Sequence, residues 1–282
     1  MLSEIVLRRM LSDRGLSPAL FVTEETGSTN NDAKAFAKSA PGAPALFVTD
    51  RQTAGRGRQG KTFVSPPGGL YMSLLLPAEI PSSGAVGVTG CAAVAVCRAV
   101  EECAGIPARI KWVNDVLIRT GPPRETGVSP GADGTEDPAA YGKAAGILCE
   151  ATGTAAPYLV IGVGVNVTSA PVVEGANFPP AAVFSASSPA IPRHPAGHAA
   201  ETLCAALTEQ LLAMAEDGFR FSDVSAEYRA RSIVAGRMID FVRNGVTRSG
   251  FVRSVADDGS LLLETAEGPL ILDSGEISVR LR

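Results

Sequence analysis

This chain of 282 residues is expected to fold as an α+β protein with a small all-β unit at its C-terminal end. Short apolar runs of strand length alternate with stretches of helical spacing from Leu20 to Met214. From about Ile233 the texture changes to short β-runs joined by Asn244-Gly245 and Asp258-Gly259, both strong hairpin signals. With 45% hydrophobic and 19% charged residues, the chain can build one large domain and one small one, expected over 1–232 and 233–282.

Leu20-Phe21-Val22 reads as a strand, followed by a polar turn from Thr23 to Asn31. Ala33, Phe36 and Ala37 then have helical spacing behind Asn30 or Asn31 as N-cap, which sets Ser28 and Thr29 beside a helix start. Ala45 to Val48 and Leu70 to Leu76 are strands, and a glycine- and arginine-rich loop is strung between them. Val86 to Ala104 is rich in small residues and reads as a buried helix stopped by Gly105. Strands are expected around 108–118, 144–151 and 158–167. Residues 120–140, dense in Gly, Pro, Asp and Glu, read as a disordered surface insertion, and a Pro/Ala-rich connection spans about 169–196. Leu203, Leu207, Leu211 and Met214 mark an amphipathic helix closed by Gly218. Met238 to Arg243, Gly250 to Val255, Leu261 to Thr265 and Leu270 to Leu272 are the last strands, and such a run suggests a small closed barrel.

A net charge of −4 gives no global field favouring nucleic acid. No apolar run approaches the ~18 residues that suggest a membrane span. Glu4 and Asp13 argue against a transit peptide in the opening segment, so a cytoplasmic protein is expected. Cysteines at 91, 97, 103, 149 and 204 form no C-x-x-C pair and point to reduced thiols, the first three as small core residues. His194 and His198 have a spacing that could bind metal on a helix, but the prolines around His194 favour a surface loop.

Asp50 to Lys61 packs three glycines and four cations into twelve residues, a composition suited to gripping an anion. Gly55 to Thr62 also satisfies the G-x-x-x-x-G-K-[ST] phosphate-loop pattern. That motif needs a helix directly after Lys61-Thr62, and Pro66-Pro67-Gly68-Gly69 leaves no room for one. Two further segments stand out. Ile110-Lys111-Trp112-Val113-Asn114-Asp115-Val116-Leu117-Ile118 carries a Lys and an Asn-Asp pair, and Tyr141-Gly142-Lys143-Ala144-Ala145-Gly146-Ile147-Leu148-Cys149-Glu150 carries one Lys entering an apolar run.

With Gly27-Ser28-Thr29-Asn30 and Gly275-Glu276-Ile277-Ser278-Val279-Arg280, these ordered segments resemble biotin protein ligase, of the monofunctional type, over roughly residues 20–282. That family reads G-R-G-R-x-G with an aromatic and Ser-Pro, then K-W-P-N-D, then G-K-x-x-G-I-L-x-E. Gln59, Phe63 and Val113 depart from its common Arg, Trp and Pro. The resemblance implies a class II aminoacyl-tRNA synthetase-like catalytic domain with a mixed, largely antiparallel sheet, plus a small SH3-like β-barrel. About twenty residues precede the expected catalytic domain, too few for a winged helix, so no DNA partner is expected.

The implied chemistry joins biotin and ATP into biotinyl-5′-AMP, then passes biotin to a lysine of a biotin carboxyl carrier domain of a carboxylase. Bringing two anions together requires preorganised cations. The resemblance gives that role to Arg56, Arg58 and Lys143. Ser28, Thr29, Asn30, Gln52, Gly55 and Gly146 are implied around biotin, together with those three cations. Phe63, Lys111, Asn114, Asp115, Ile147 and Asn166 are implied around ATP with Arg58, and Asp115 as a possible Mg²⁺ ligand. Glu276 and Arg280 are expected as interdomain contacts. A monomer or a homodimer is compatible with the sequence, and no membrane partner is expected. Lipoate ligase, P-loop ATPase and RNA-binding protein are the rival readings.

Overall fold

The computed structural model describes residues 2–39, 42, 44–77, 84–120, 137–152, 157–184, 197–243, 245–273 and 278–281. Seven strands, β1 (Ala19–Thr26), β2 (Ala45–Gln52), β3 (Gly69–Pro77), β4 (Ala108–Lys111), β5 (Asp115–Arg119), β6 (Tyr141–Thr152) and β7 (Tyr158–Asn166), form one sheet. Its order is β1-β2-β3-β7-β6-β5-β4. Only β1 and β2 run parallel, and every other neighbouring pair is antiparallel. The mixed, largely antiparallel sheet is therefore as expected.

Alternation along the strands divides the core. Ala45, Phe47, Leu75 and Val160 face Ala33 and Ala37 of helix α2 (Thr29–Ser39), while Leu46, Val48, Leu74 and Ile161 face the larger cluster on the other side. That cluster surrounds helices α3 (Gly84–Ala104) and α4 (Ala199–Glu216). By length and composition α3 could cross a membrane, a property the sequence reading overlooked, but it is a buried core helix here. Gly105, at φ +69°, ends it by donating to Glu101 O at 2.9 Å. Gly218, at φ +67°, follows α4 in the same conformation.

Several expectations need correction. The single strand expected over 108–118 is a hairpin, β4 and β5, turning at Trp112-Val113-Asn114. Helix α1 (Glu4–Asp13) and helix α5 (Phe221–Arg231) were not anticipated. Helix α2 begins at Thr29, so Asn30 and Asn31 lie inside its first turn instead of capping it. Residues 121–136 of the expected insertion, and 185–196 with His194, lie outside the described residues. The insertion's described ends meet, Thr120 N–H donating to Ala140 O at 2.9 Å.

Strands β8 (Met238–Arg243), β9 (Val246–Val255), β10 (Leu261–Thr265), β11 (Gly268–Leu272) and β12 (Ser278–Leu281) pair antiparallel in the order β11-β10-β9-β8-β12. Among the described residues β11 and β12 end this sheet, where a closed barrel was expected. Val252, Val255 and Leu261 join the main core, and Trp112 Nε1 donates to Gly259 O at 2.9 Å across the two sheets.

Candidate active site

The loop from β2 to β3 folds back on itself. Phe63 N–H donates to Gly55 O at 2.9 Å and Gly57 N–H to Lys61 O at 2.7 Å. A Cβ on Gly55 would lie 2.4 Å from Phe63 O, so glycine lets the two arms touch. Gly55 thus shapes the loop, while Arg56, Gly57 and Arg58 line the cavity beside it. No helix follows Lys61-Thr62, which removes the phosphate-loop reading. Arg51 turns away to Glu25 at 2.7 Å, whereas Arg56, Arg58 and Lys61 face the cavity.

That cavity, about 220 Å³, has a polar neutral end and a charged end. Ser28, Thr29, Asn30 and Gln52 line the first, all brought together where α2 starts above β2. Gln52 Oε1 accepts from Thr29 N–H at 3.0 Å, and Gln52 Nε2 donates to Ser65 Oγ at 3.0 Å. Asn30 Oδ1 accepts from Ser73 Oγ at 2.6 Å beneath them. Thr29 therefore spends its hydroxyl on Ser73 and Gln52 and not on capping its helix.

At the charged end Asp115 Oδ1 meets Lys143 Nζ at 2.6 Å, and Oδ2 meets Lys111 Nζ at 3.4 Å. The anionic partner that a half-buried Lys143 calls for is thus supplied by the neighbouring strand. Burial opposes the Asp115 charge, yet Lys143 and Lys111 hold its carboxyl below the usual range. Burial pulls the Lys111 ammonium down despite Asp115. Arg58 is largely desolvated, which lowers its pKa, and its one long hydrogen bond, 3.4 Å, goes to neutral Asn114 Oδ1. Asn114 Nδ2 donates to Ile147 O at 3.2 Å and ties the hairpin turn to β6.

Between the two ends the Phe63 ring lies on a floor of Gly146 and Gly164, register partners on β6 and β7. Cβ atoms there would stand 2.8 and 2.4 Å from that ring. A second cavity, about 300 Å³, opens beyond it and includes Asn166, Phe178 and Arg280. Lys61, Phe63, Lys111, Asp115 and Lys143 line both cavities. Asn166 Nδ2 donates to Lys143 O at 3.1 Å, bracing the strand that carries the lysine. Glu276 lies outside the described residues.

Residues 22–166, half of the chain, match the biotin/lipoate A/B protein ligase family. The chain belongs to that family. Over 287 residues, 99% of the chain and 79% of the relative, it is 29% identical to the bifunctional ligase/repressor BirA of Bacillus subtilis. The biotin–[acetyl-CoA-carboxylase] ligase of Paracoccus denitrificans is 28% identical over 260 residues, 89% of this chain and 97% of that one. In fold it is similar to the biotin protein ligase from Aquifex aeolicus in complex with biotin and ATP, with TM-score 0.69, 23% identity and coverage of 94% and 99%. Membership accounts for the synthetase-like architecture.

Three polar groups at this site escaped the sequence reading. Ser73 is the one small polar residue inside Leu70 to Leu76, a signal that could have marked it. Ser65 follows the loop, and Glu150 closes the G-K-x-x-G-I-L-x-E segment without a role having been given to it.

Proposed function

We propose that this protein is an ATP-dependent ligase that forms biotinyl-5′-AMP and transfers biotin to a lysine of a biotin carboxyl carrier domain. The observation that carries this reading is Lys143, set where two cavities meet, with neutral hydrogen-bonding groups on one side and cations on the other. A neutral ureido ring suits Ser28, Thr29, Asn30 and Gln52, whose donors and acceptors are fixed in place. The acid's aliphatic arm would replace the Phe63 ring over Gly146 and Gly164 and end at Lys143.

In the first step a biotin carboxylate oxygen attacks the α-phosphorus of ATP and pyrophosphate leaves. Lys143, Arg58 and Arg56 offset the charge that gathers on the α-phosphate, and Lys111 and Lys61 face the leaving group. In the second, the carrier lysine's neutral amine attacks the acyl carbon and AMP leaves with the electron pair. Asn166 and Ile147 support the nucleotide half. Magnesium would neutralise the triphosphate. Asp115 is the single carboxylate lining the first cavity among the described residues, and both its oxygens already face lysines. The donor set therefore fits an ion held chiefly by phosphate oxygens, and no cluster of three or more His, Cys, Asp or Glu is found among the described residues. The free cysteines support a reducing, cytoplasmic setting.

Labelled pyrophosphate should exchange into ATP only when biotin is present. Exchange driven by lipoate instead would favour lipoate ligation, and biotin-independent release of orthophosphate without exchange would overturn the reading.

A further inference from the structure

Resting on the ligase reading, the aromatic side chain between the two cavities carries a further inference. Phe63 Cε1 and Cε2 straddle the strand pair at Gly164 and Gly146, where Cβ atoms on those glycines would come within 2.4 and 2.8 Å of them. A ligand methylene lying on the same floor needs carbon–carbon separations of about 3.5–4.0 Å, so it must take the space that the ring fills. The ring and an acyl arm cannot both be there. Tyr71 meets the ring edge-on at 6.4 Å between centroids, and Lys143 Nζ stands 5.7 Å from the Phe63 centroid. In the empty protein the ring thus stands in for the ligand, against the same floor and beside the same ammonium.

The backbone that carries it is pinned. Phe63 N–H donates to Gly55 O at 2.9 Å, and the Phe63 carbonyl accepts from Ser65 Oγ at 2.9 Å. The ring can therefore leave by rotation of its own side chain between staggered positions, without unfolding of the loop. Phe63 also lines the second cavity, so the space open to the rotated ring lies on that side. Such a rotation is fast compared with binding, and its cost falls on affinity.

We propose that Phe63 is a built-in competitor of biotin: its ring plugs the acyl channel of the empty enzyme, and the incoming arm displaces it toward the second cavity, where it covers the nucleotide half of the adenylate. The same ring therefore weakens the binding of biotin alone and strengthens the hold on the product of the first step.

The test compares wild type with Phe63→Ala and Phe63→Leu, the second keeping apolar bulk in the loop should the first fold poorly. Calorimetric titration with biotin and no ATP should give a Kd about tenfold lower in Phe63→Ala, with Phe63→Leu between, as when a plug that fills the channel about nine times in ten is removed. Biotinyl-5′-AMP should leave Phe63→Ala about three- to tenfold faster than wild type, through the loss of one aromatic contact. A merely structural role would move both in one direction, weakening biotin as well as the adenylate. Biotin bound no more tightly by either variant than by wild type, or adenylate release unchanged in Phe63→Ala, would overturn the proposal. Absence of both biotin binding and biotin-dependent pyrophosphate exchange in the wild type would instead overturn the ligase reading itself.

Discussion

Lys143 faces Asp115 at 2.6 Å, and Lys111 remains on the other oxygen of that buried carboxylate. Replacing Lys143 by Ala therefore leaves Asp115 one partner, and the fold should persist while adenylation slows by ~10²–10³. Single-turnover formation of biotinyl-5′-AMP measures this, and near wild-type turnover would remove Lys143 from the mechanism. Among the described residues Arg58 has only a 3.4 Å bond to a neutral amide while its charge is largely desolvated. Arg58→Ala should release the adenylate about tenfold faster, the loss of one charge-assisted contact, and a filter-retention assay follows that release. Both residues were legible as charges in a glycine loop or an apolar run. Asp115 as the partner of Lys143 was not, because that contact depends on the pairing of β5 with β6.

Among elements, the strands and the two long helices were legible because their apolar runs were long and punctuated by glycine. The β4–β5 turn was not: Trp112-Val113-Asn114 contains neither Gly nor Pro and reads as strand. Helix α1 is short, with Leu7 and Leu11 as its buried pair, and it gains its stability by docking on α4. Ser3 caps it through a 3.4 Å bond from Val6 N–H, and its own N–H reaches Glu201 at 2.8 Å. Leu7→Ala should destabilise the protein by about 2–4 kcal/mol through the lost side chain and the cavity left behind. Urea unfolding would measure it, and a change below about 1 kcal/mol would mean the docking is dispensable.

At the scale of the molecule, α3 and α5 are joined by ion pairs in which Arg231 meets Glu101 at 2.5 Å and Glu227 at 2.8 Å, while Arg98 meets Glu227 at 2.6 Å. Burial opposes the charge on both carboxylates, yet their arginine partners hold each below the ordinary range. A depressed folded pKa contributes stability that is present above the unfolded value, near 4.3 for Glu, and is lost as pH falls through the folded value. Melting temperature should therefore drop on acidification below about pH 4.5, and that drop should shrink in Glu227→Gln. An unchanged acid slope in the variant would show that this network does not set it. The Arg231–Glu227 pair has i,i+4 spacing on α5, but the contacts from α5 to Arg98 and Glu101 join residues 129 and 130 apart and could not be read from the sequence.

The chain contains one tryptophan. Trp112 is 3% exposed, lines the first cavity, and hydrogen-bonds through its indole to Gly259 of the other sheet. The molecule thus carries a single native fluorophore at its mechanical junction, with no second indole to blur the signal. Its emission should be blue-shifted in the folded protein and should respond when a ligand moves the adjoining Asn114 and Asp115. Parting of the two sheets would break the bond to Gly259 and register as a red shift, so the same photons report both the filling of the cavity and the integrity of the junction.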